Sequence, residues 1–529
     1  MKQKSKKKSS YRAYYDQSKH LMQIGVALSG EKNINHLLEI IVDEARKLTN
    51  ADAGTLYIMA DNETELQFAI IQNNSLNIRM GGTGEAITWP NINLKNNDGS
   101  TNKANVSAYA AISGETINID DVYHAQGFNF KGTKKFDKNT GYRSQSMLVS
   151  PLRNHENDII GVLQLLNALD PATGEVINFS SESQEIILSL ASQAAIALSN
   201  SRLIHDLENL LESFIKTIAS TIDEKSPYTG GHIRRVAELT MAIADKINET
   251  QEGRFAAVKF SDDQLRELRM AAWLHDVGKI TTPEYVIDKE TKLQTVHDRI
   301  HEVKMRLELI KKDYLPATQS ENKEKQADKT TRSADAEIKA LDKEYQFLQE
   351  VNKGGEFLND EMVARVKKIA KRKWNTEGQI RPLLSEDEVH NLCVRRGTLT
   401  EKERTIINNH VLVTHKILTG LPFPKKMRNV AAYAAAHHEN IDGSGYPFGL
   451  KGDEIPLQSR IIAIVDIFEA LTAKDRPYKK GKTLSEALRI MEFMVSDKHI
   501  DKDLFEFFIK EKIYADYAKR ELTPQQIDI

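Results

Sequence analysis

The feature of this sequence that most constrains its fold is a double change in hydrophobic period. Residues 17–49 are predicted to form a helix, because Ile34, Leu38 and Val42 stand at helical spacing. Short β-rich runs separated by polar turns follow: "AGTLYIM", "ELQFAII", "SMLVSPL" and "DIIGVLQLLN". From Ser181 the helical period returns and continues almost to the C terminus. This order predicts a multidomain chain, with an α+β domain on an antiparallel sheet followed by an all-α bundle.

The helical segment at 181–222 is long enough to leave the first domain. At 1.5 Å per residue, a helix of ~40 residues spans ~60 Å. Its apolar side chains keep mostly 3/4 spacing with a slip near Ser201: Ile187, Leu190, Ala194, Ala197, Ile204, Leu207, Leu211, Phe214 and Ile218. The pattern favours a connecting coiled-coil helix in a parallel homodimer. The alternative is a break near Ser201 into two packed helices.

Residues 288–397 interrupt the helical region with a pattern of their own. Apolar side chains at heptad-like spacing run from Val296 to Ile310 and again from Ile338 to Leu348, on either side of a polar stretch, "ATQSENKEKQADKTTRS". We predict an antiparallel helical hairpin inserted into the helical domain. The predicted domains are therefore 17–180, a connecting helix at 181–222, and 223–529 with the insertion.

Composition excludes several classes of protein. The net charge of -2 indicates no general attraction to nucleic-acid polymers or to membranes. The single cysteine, Cys393, excludes an intramolecular disulfide and is typical of a reducing compartment. No stretch approaches the ~18–20 apolar residues that a spanning helix needs. We expect a cytoplasmic protein.

Histidine and aspartate recur in short motifs through the helical region. They occur in "YTGGHIRRV" (His232), "WLHDVGK" (His275, Asp276), "IINNHVLVTH" (His410), "AHHENIDGSGYP" (His437, His438) and "IIAIVDIFEAL" (Asp466). Imidazole and carboxylate are the usual ligands of borderline transition metals. Several flanks are apolar, as expected when a metal site lies inside a helix bundle. Sequence spacing alone does not show that these segments converge.

The ordered pair "HDVGK" and "HHENIDGSGYP" resembles the HD-GYP family, a branch of the HD phosphohydrolases that hydrolyse cyclic di-GMP. The resemblance implies two divalent metal ions, with iron or manganese favoured and zinc as an alternative. It assigns His232, His275, Asp276 and Asp466 to one ion, and Asp276, as a bridge, with His410, His437 and His438 to the other. It also implies that Lys279 lies near the attacking water, and that Arg476, Lys479 and Tyr446 contact substrate.

The family's pattern is not matched everywhere. A carboxylate often precedes the first histidine and recruits a third ion, but Ser226 and Tyr228 stand here.

The product that the resemblance implies is pGpG, with GMP after a second cut. Alternatives are a phosphodiesterase of another cyclic dinucleotide, or a non-catalytic cyclic di-GMP sensor, whose usual mark is the loss of metal ligands. The remaining histidines, His415 among them, are expected to be packing or surface residues.

The N-terminal region resembles the GAF modules of cyclic-nucleotide phosphodiesterases and cyclases through "KKFDKNTGYRSQSMLVSPLRN" and "IIGVLQLLN". Two positions depart from the signature of those modules. Asn167 is followed by Ala168, and Phe179 is followed by "SSESQ" where Asp-Glu is expected. The resemblance implies either a regulatory pocket for a small ligand or a purely structural dimerising module, since a fold does not specify a ligand.

Overall fold

The computed structural model of the chain describes residues 19–224, 231–314, 327–355, 357–376, 378–473 and 481–529. The chain divides into two compact units, Met1–Leu210 and Leu211–Ile529. The first contains a β-sheet with helices, and the second is largely helical, as the two hydrophobic periods predict.

The first unit is built on one antiparallel sheet. Its strands are β1 (Ala51–Met59), β2 (Glu65–Asn73), β3 (Ile78–Gly81), β4 (Ile92–Asn93), β5 (Ile117–Ile119), β6 (Met147–Arg153), β7 (Ile159–Leu169) and β8 (Val176–Ile177). Their order is β3-β2-β1-β7-β6-β5, with β4 beside β2 and β8 beside β7. All four predicted β-rich runs form strands, namely β1, β2, β6 and β7. The short strands β3, β4, β5 and β8 were not predicted.

Helices cover both faces of this sheet. They are α1 (19–30), α2 (Ile34–Thr49), α3 (Val106–Ser113), α4 (Lys131–Thr140) and the beginning of α5 (Ser181–Asp223). Strand residues alternate between the two cores: Leu56 and Leu163 pack with α1, α2 and α5, whereas Tyr57 and Val162 pack with α3. This alternation follows from the period of two along each strand.

The prediction of one helix over 17–49 was wrong at residues 31–33, which separate α1 from α2. Asn33 caps α2, because its side-chain oxygen accepts the backbone N–H groups of Asn35 at 2.9 Å and His36 at 3.3 Å. An asparagine side chain that satisfies these groups favours a helix start over a continuous helix.

Helix α5 continues through Ser201 without a break over its 43 residues. Its N-terminal half contributes Leu190 and Ala194 to the core of the first unit. Farther along, Ile204, Leu207 and Phe214 are 61%, 66% and 58% exposed. The same half of the helix contributes Ile215 and Ile222 to the core of the second unit. Burial within the described residues therefore explains only part of its apolar pattern.

The second unit places helices around a central apolar core. They are α6 (His232–Glu249), α7 (Asp262–Leu274), α8 (Glu284–Ile287), α13 (Glu401–Asn408), α14 (His410–Thr419), α15 (Val430–Ala435), α16 (Leu457–Thr472), α17 (Leu484–Ser496), α18 (Lys502–Lys510) and α19 (Tyr514–Glu521). A 3-10 turn at Val277–Thr281 follows α7. Helix α16 lies in the middle of this core, with Ile461, Ile464 and Phe468 fully buried.

Residues 288–397 contain more structure than a hairpin. They form α9 (Ile300–Tyr314), α10 (Ala327–Lys353), α11 (Asp360–Ala370), β9 (Lys373–Thr376), β10 (Gln379–Pro382) and α12 (Glu386–Leu392). Helices α9 and α10 pack through Val303, Leu307, Leu341 and Leu348, as the two seams predict, and α11 and α12 complete a separate core. The extension of the first seam to Val296 was wrong, since this side chain precedes α9 and is 97% exposed.

Candidate metal centre

The second unit brings together all of the predicted ligands. His232 begins α6, His275 and Asp276 follow α7, and His410 begins α14. His437 and His438 follow α15, and Asp466 lies in α16. Three sets of these side chains each hold ligand atoms within 4.8 Å of one another: His232, His275 and Asp466; His275, Asp276 and His437; and His410, His437 and His438.

Asp276 lies at the centre of this arrangement. Its Oδ2 is 3.3 Å from Nε2 of His275 and 3.8 Å from Nε2 of His232, whereas its Oδ1 is 3.1 Å from Nε2 of His410. Oδ1 of Asp466 is 3.3 Å from Nε2 of His232. The two oxygens of Asp276 therefore face different histidines, which is the geometry of a carboxylate able to bridge two ions.

Three of the histidines are oriented by the backbone carbonyl three residues earlier. Nδ1 of His275 lies 2.8 Å from the oxygen of Ala272, Nδ1 of His410 lies 2.5 Å from that of Ile407, and the corresponding distance from His437 to Ala434 is 2.6 Å. A carbonyl can only accept, so Nδ1 carries the hydrogen in each ring. Nε2 of each ring consequently faces the centre, and its lone pair is available to a metal when the ring is neutral.

His232 is oriented by a different group. Its Nδ1 lies 2.5 Å from Oε2 of Glu469, whose Oε1 accepts a hydrogen bond from Nε of Arg235 at 2.7 Å. Glu469 is 1% exposed and follows Asp466 by three positions in α16. Sequence reasoning missed this carboxylate. The signal in the sequence was a charged residue in a largely apolar helix. It stands three positions after Asp466 and therefore lies on the same face of the helix.

Several polar atoms of the centre are buried without a hydrogen-bond partner within the described residues. They are Nε2 of His275, His410 and His437 and Oδ1 of Asp276, although two of them lie 3.1 Å apart. Buried polar atoms are normally paired, so a convergent group of unpaired ones requires an explanation. Imidazole nitrogens and a carboxylate oxygen directed at one another fit a transition-metal ion.

Burial and neighbouring charges set the protonation states of the predicted ligands. Burial depresses the pKa of His437 well below its ordinary value and that of His438 to about 4, so both rings are neutral. Burial acts to raise the pKa of Asp276, but the Lys279 ammonium and His275 outweigh it and keep the carboxyl ionised. Burial acts to lower the pKa of His232, but Glu469 and Asp466 raise it to about 10. A metal ion would have to displace that proton.

A glycine sets the separation of two ligand segments. A Cβ at Gly278 would lie 1.9 Å from the carbonyl oxygen of His410 and 2.6 Å from the nitrogen of Thr414. Instead, the N–H of Gly278 donates to Oγ1 of Thr414 at 2.9 Å, and this hydroxyl donates to the carbonyl of His275 at 3.2 Å. The glycine of "HDVGK" thus allows the turn to contact α14 directly, which places Asp276 beside His410.

The loop after His438 is held by its own polar residues. The buried Glu439 accepts the N–H groups of Phe448 at 2.7 Å and Leu450 at 3.0 Å. A Cβ at Gly445 would lie 2.3 Å from the nitrogen of Asn440, so the loop requires a glycine there. The ring of Tyr446 stacks on that of His438 with centroids 4.9 Å apart. The loop therefore places an aromatic side chain directly over a ligand.

Of the residues predicted to lie near the attacking water or the substrate, Lys279 belongs to the described part of the chain, whereas Arg476 and Lys479 do not. The Lys279 ammonium pairs with Oδ2 of Asp276. Arg476 and Lys479, like Ser226 and Tyr228, lie outside the described residues.

Asn167 and Phe179, the two residues of the GAF signature that this chain keeps, take part in internal contacts. Asn167 is buried, and its side-chain N–H donates to the hydroxyl of Tyr142 at 2.9 Å and to the carbonyl of Arg143 at 2.7 Å. Its side-chain oxygen accepts the N–H of Gln145 at 2.7 Å. Phe179 is also buried, within the core between the sheet and α5. Both residues stabilise the first unit itself.

Protein-family models match the two units of the chain separately. The GAF domain family matches residues 33–198. Two HD domain families match residues 229–369 and 386–504, and both extend into the segment predicted as an insertion. The chain therefore carries a GAF domain followed by an HD domain. HD domains bind divalent metals, and the histidine and aspartate groups described above could hold them.

Characterised relatives match part of the chain. The 3'3'-cGAMP-specific phosphodiesterase 3 of Vibrio cholerae serotype O1 is 46% identical over 97 residues, covering 18% of this chain and 20% of the relative. The cyclic di-GMP phosphodiesterase of Thermotoga maritima is 39% identical over 131 residues, covering 25% and 35%. This chain thus spans about a third or less of the length of these relatives. None of its described helices is long and apolar enough to cross a bilayer.

Proposed function

We propose that this chain is a metal-dependent phosphodiesterase that hydrolyses cyclic di-GMP to linear pGpG, with a second cut giving GMP. The observation that carries the proposal is the convergence of unpaired, inward-facing histidine nitrogens around the carboxylate of Asp276. The cyclic di-GMP phosphodiesterase of Thermotoga maritima supports the substrate class through 39% identity over 131 residues.

In this proposal the centre holds two divalent ions, with iron or manganese favoured. His232, His275, Asp276 and Asp466 hold one, and Asp276, His410, His437 and His438 hold the other. When bound, such ions polarise a phosphodiester and make water nucleophilic near neutral pH. The Lys279 ammonium, beside Asp276, is in position to neutralise charge on a phosphate oxygen. Arg476 and Lys479 are proposed to bind the phosphates, and Tyr446 to contact the substrate.

A second candidate substrate is 3'3'-cGAMP, because a phosphodiesterase specific for it is 46% identical over 97 residues. The same ligands would serve either substrate, since the metal centre acts on the phosphodiester and not on the base. A non-catalytic sensor is disfavoured by the presence of every proposed ligand.

The test is turnover by anaerobically purified protein, with cyclic di-GMP, 3'3'-cGAMP and cyclic di-AMP assayed in parallel and metal content measured on the same samples. We expect the cyclic di-GMP to be cleaved, and Asp276→Ala to lose at least a thousandfold in turnover together with bound metal. Wild-type turnover by Asp276→Ala would refute the two-metal assignment. Preference for another dinucleotide would correct only the substrate.

We also propose that residues 17–180 regulate the catalytic region 223–529 through the connecting helix at 181–222, as a parallel homodimer. Apolar side chains on α5 support this, because Ile204, Leu207, Leu211, Phe214 and Ile218 follow 3, 4, 3, 4 spacing and all of them except Leu211 are exposed. Light scattering should give a dimer for the full chain and a monomer for Leu207→Asp/Phe214→Asp. Leu412→Asp, at an exposed leucine of α14, is the matched control. A wild-type monomer at micromolar concentration would contradict the proposal.

A further inference from the structure

Two aromatic side chains close to the ligand segments in the sequence, Phe448 and His415, belong to none of the apolar cores of the described residues. Phe448 is 47% exposed, although its backbone is fixed by the hydrogen bond from its N–H to Glu439. Its ring meets that of His415 edge-on, with centroids 5.4 Å apart and planes at 76°. Edge-to-face packing of this kind fixes the orientation of an aromatic ring. A rigidly held but half-exposed phenyl ring offers a flat apolar face to a ligand.

Both members of the pair are connected to the metal ligands. Phe448 follows Tyr446 by two residues, and Tyr446 stacks on the ligand His438. His415 is on the same helix as the ligand His410, five residues or about 7.5 Å farther along the axis. The ring of His410 in turn lies 5.3 Å from that of His438. The pair is therefore connected to the ligand segments twice, through the loop and through α14.

The substrate class supplies a matching group. In a cyclic dinucleotide each phosphate is joined to a purine through a single ribose, so a phosphate bound at the metals places a base a short distance away. Purines stack on aromatic side chains through their faces, and this interaction tolerates guanine and adenine alike. We infer that Phe448, oriented by His415, stacks a purine base of the cyclic dinucleotide. The inference rests on the proposed function.

The alternative is that Phe448 only shields the loop held by Glu439. Steady-state kinetics of the metal-loaded full chain separate the two roles. Phe448→Ala should raise KM for cyclic di-GMP at least tenfold, about 1.4 kcal/mol. Its metal content should be unchanged, and Phe448→Trp should restore KM. Phe493→Ala, at a phenylalanine of α17 that is 59% exposed, is the matched control and should leave KM unaltered.

A binding measurement separates failure of this inference from failure of the proposed function. Calorimetry with a non-hydrolysable phosphorothioate analogue of cyclic di-GMP on the metal-loaded full chain, with and without Phe448→Ala, measures base stacking on Phe448 independently of turnover. Tenfold weaker binding in Phe448→Ala supports the stacking even if the wild-type chain cleaves a different dinucleotide. Equal binding, or an unchanged KM in Phe448→Ala, overturns it. Equal losses for cyclic di-GMP and 3'3'-cGAMP would show that the base is recognised by its face.

Discussion

Each unit buries one prominent group of polar side chains, and the two groups differ in whether their atoms are paired. In the first, the hydroxyl of Tyr142 donates to Oδ2 of Asp52 at 2.8 Å and accepts from Asn167, while Oδ1 of Asp52 accepts the N–H and the hydroxyl of Ser75. In the second, Asp276 and the histidines around it direct unpaired atoms at one another. A satisfied network stabilises a fold, whereas a convergent set of unpaired ligand atoms stabilises it only when something binds.

The first prediction tests that difference through metal linkage. Adding Mn²⁺ to the metal-free protein should stabilise the second unit by about 2.7 kcal/mol at a hundredfold excess over Kd, because the ion binds only the folded state. The first unit should not respond. Trp89 lies in the first unit, and Trp273 and Trp374 lie in the second. Fluorescence melts of Trp89→Phe and of Trp273→Phe/Trp374→Phe therefore report the units separately.

If the Trp89 signal shifted with Mn²⁺ as much as the other two, the contrast between the units would be lost. If neither shifted, the unpaired atoms of the second unit would not form a metal site.

The second prediction compares two buried carboxylates within the second unit. Glu469→Gln weakens the hydrogen bond that orients His232, so metal affinity should fall roughly 10- to 100-fold. Glu267→Gln makes the same chemical change at a carboxylate that accepts the N–H of Asn429 at 2.7 Å. This control should lose some thermal stability but keep its affinity within twofold. Competition with a chelating dye measures both, and equal affinities would remove Glu469 from the centre.

The third prediction concerns pH and the first unit. Burial, together with the bond to Asp52, raises the pKa of Tyr142 above its ordinary value near 10. Above about pH 10 the unfolded chain therefore releases a proton that the folded chain keeps. The free energy of unfolding should fall there by up to about 1.4 kcal/mol per pH unit for this residue. Burial also raises the pKa of Tyr57, to about 12, so part of the decline should persist in Tyr142→Phe.

Urea titrations of the first unit's Trp89 signal from pH 9 to pH 11 measure this slope in the full chain. A slope in Tyr142→Phe equal to that of the wild type would show that the Asp52 network does not restrain the tyrosine proton.

The sequence predicts some parts of this molecule better than others. His275, Asp276, His437 and His438 could be identified because each lies in a short motif whose chemistry is local. Glu469 was missed because its partner, His232, is 237 positions away and no spacing relates them. The strands β9 and β10 were missed because β10 is exposed throughout, so no alternation marks it. The helix start at Asn33 was hidden because the apolar period resumes on the far side of the break.

The two ways of orienting the histidines have an evolutionary consequence. The rings of His275, His410 and His437 are each oriented by a backbone carbonyl in their own segment. Only a change in that backbone can remove this orientation. His232 depends on a distant side chain, and one nucleotide change at Glu469 is enough to remove it. If the proposed centre holds two ions, a lineage can therefore drift toward one ion while every proposed ligand residue stays in place. Such descendants would retain the full motif set, and their altered metal content would be invisible in it.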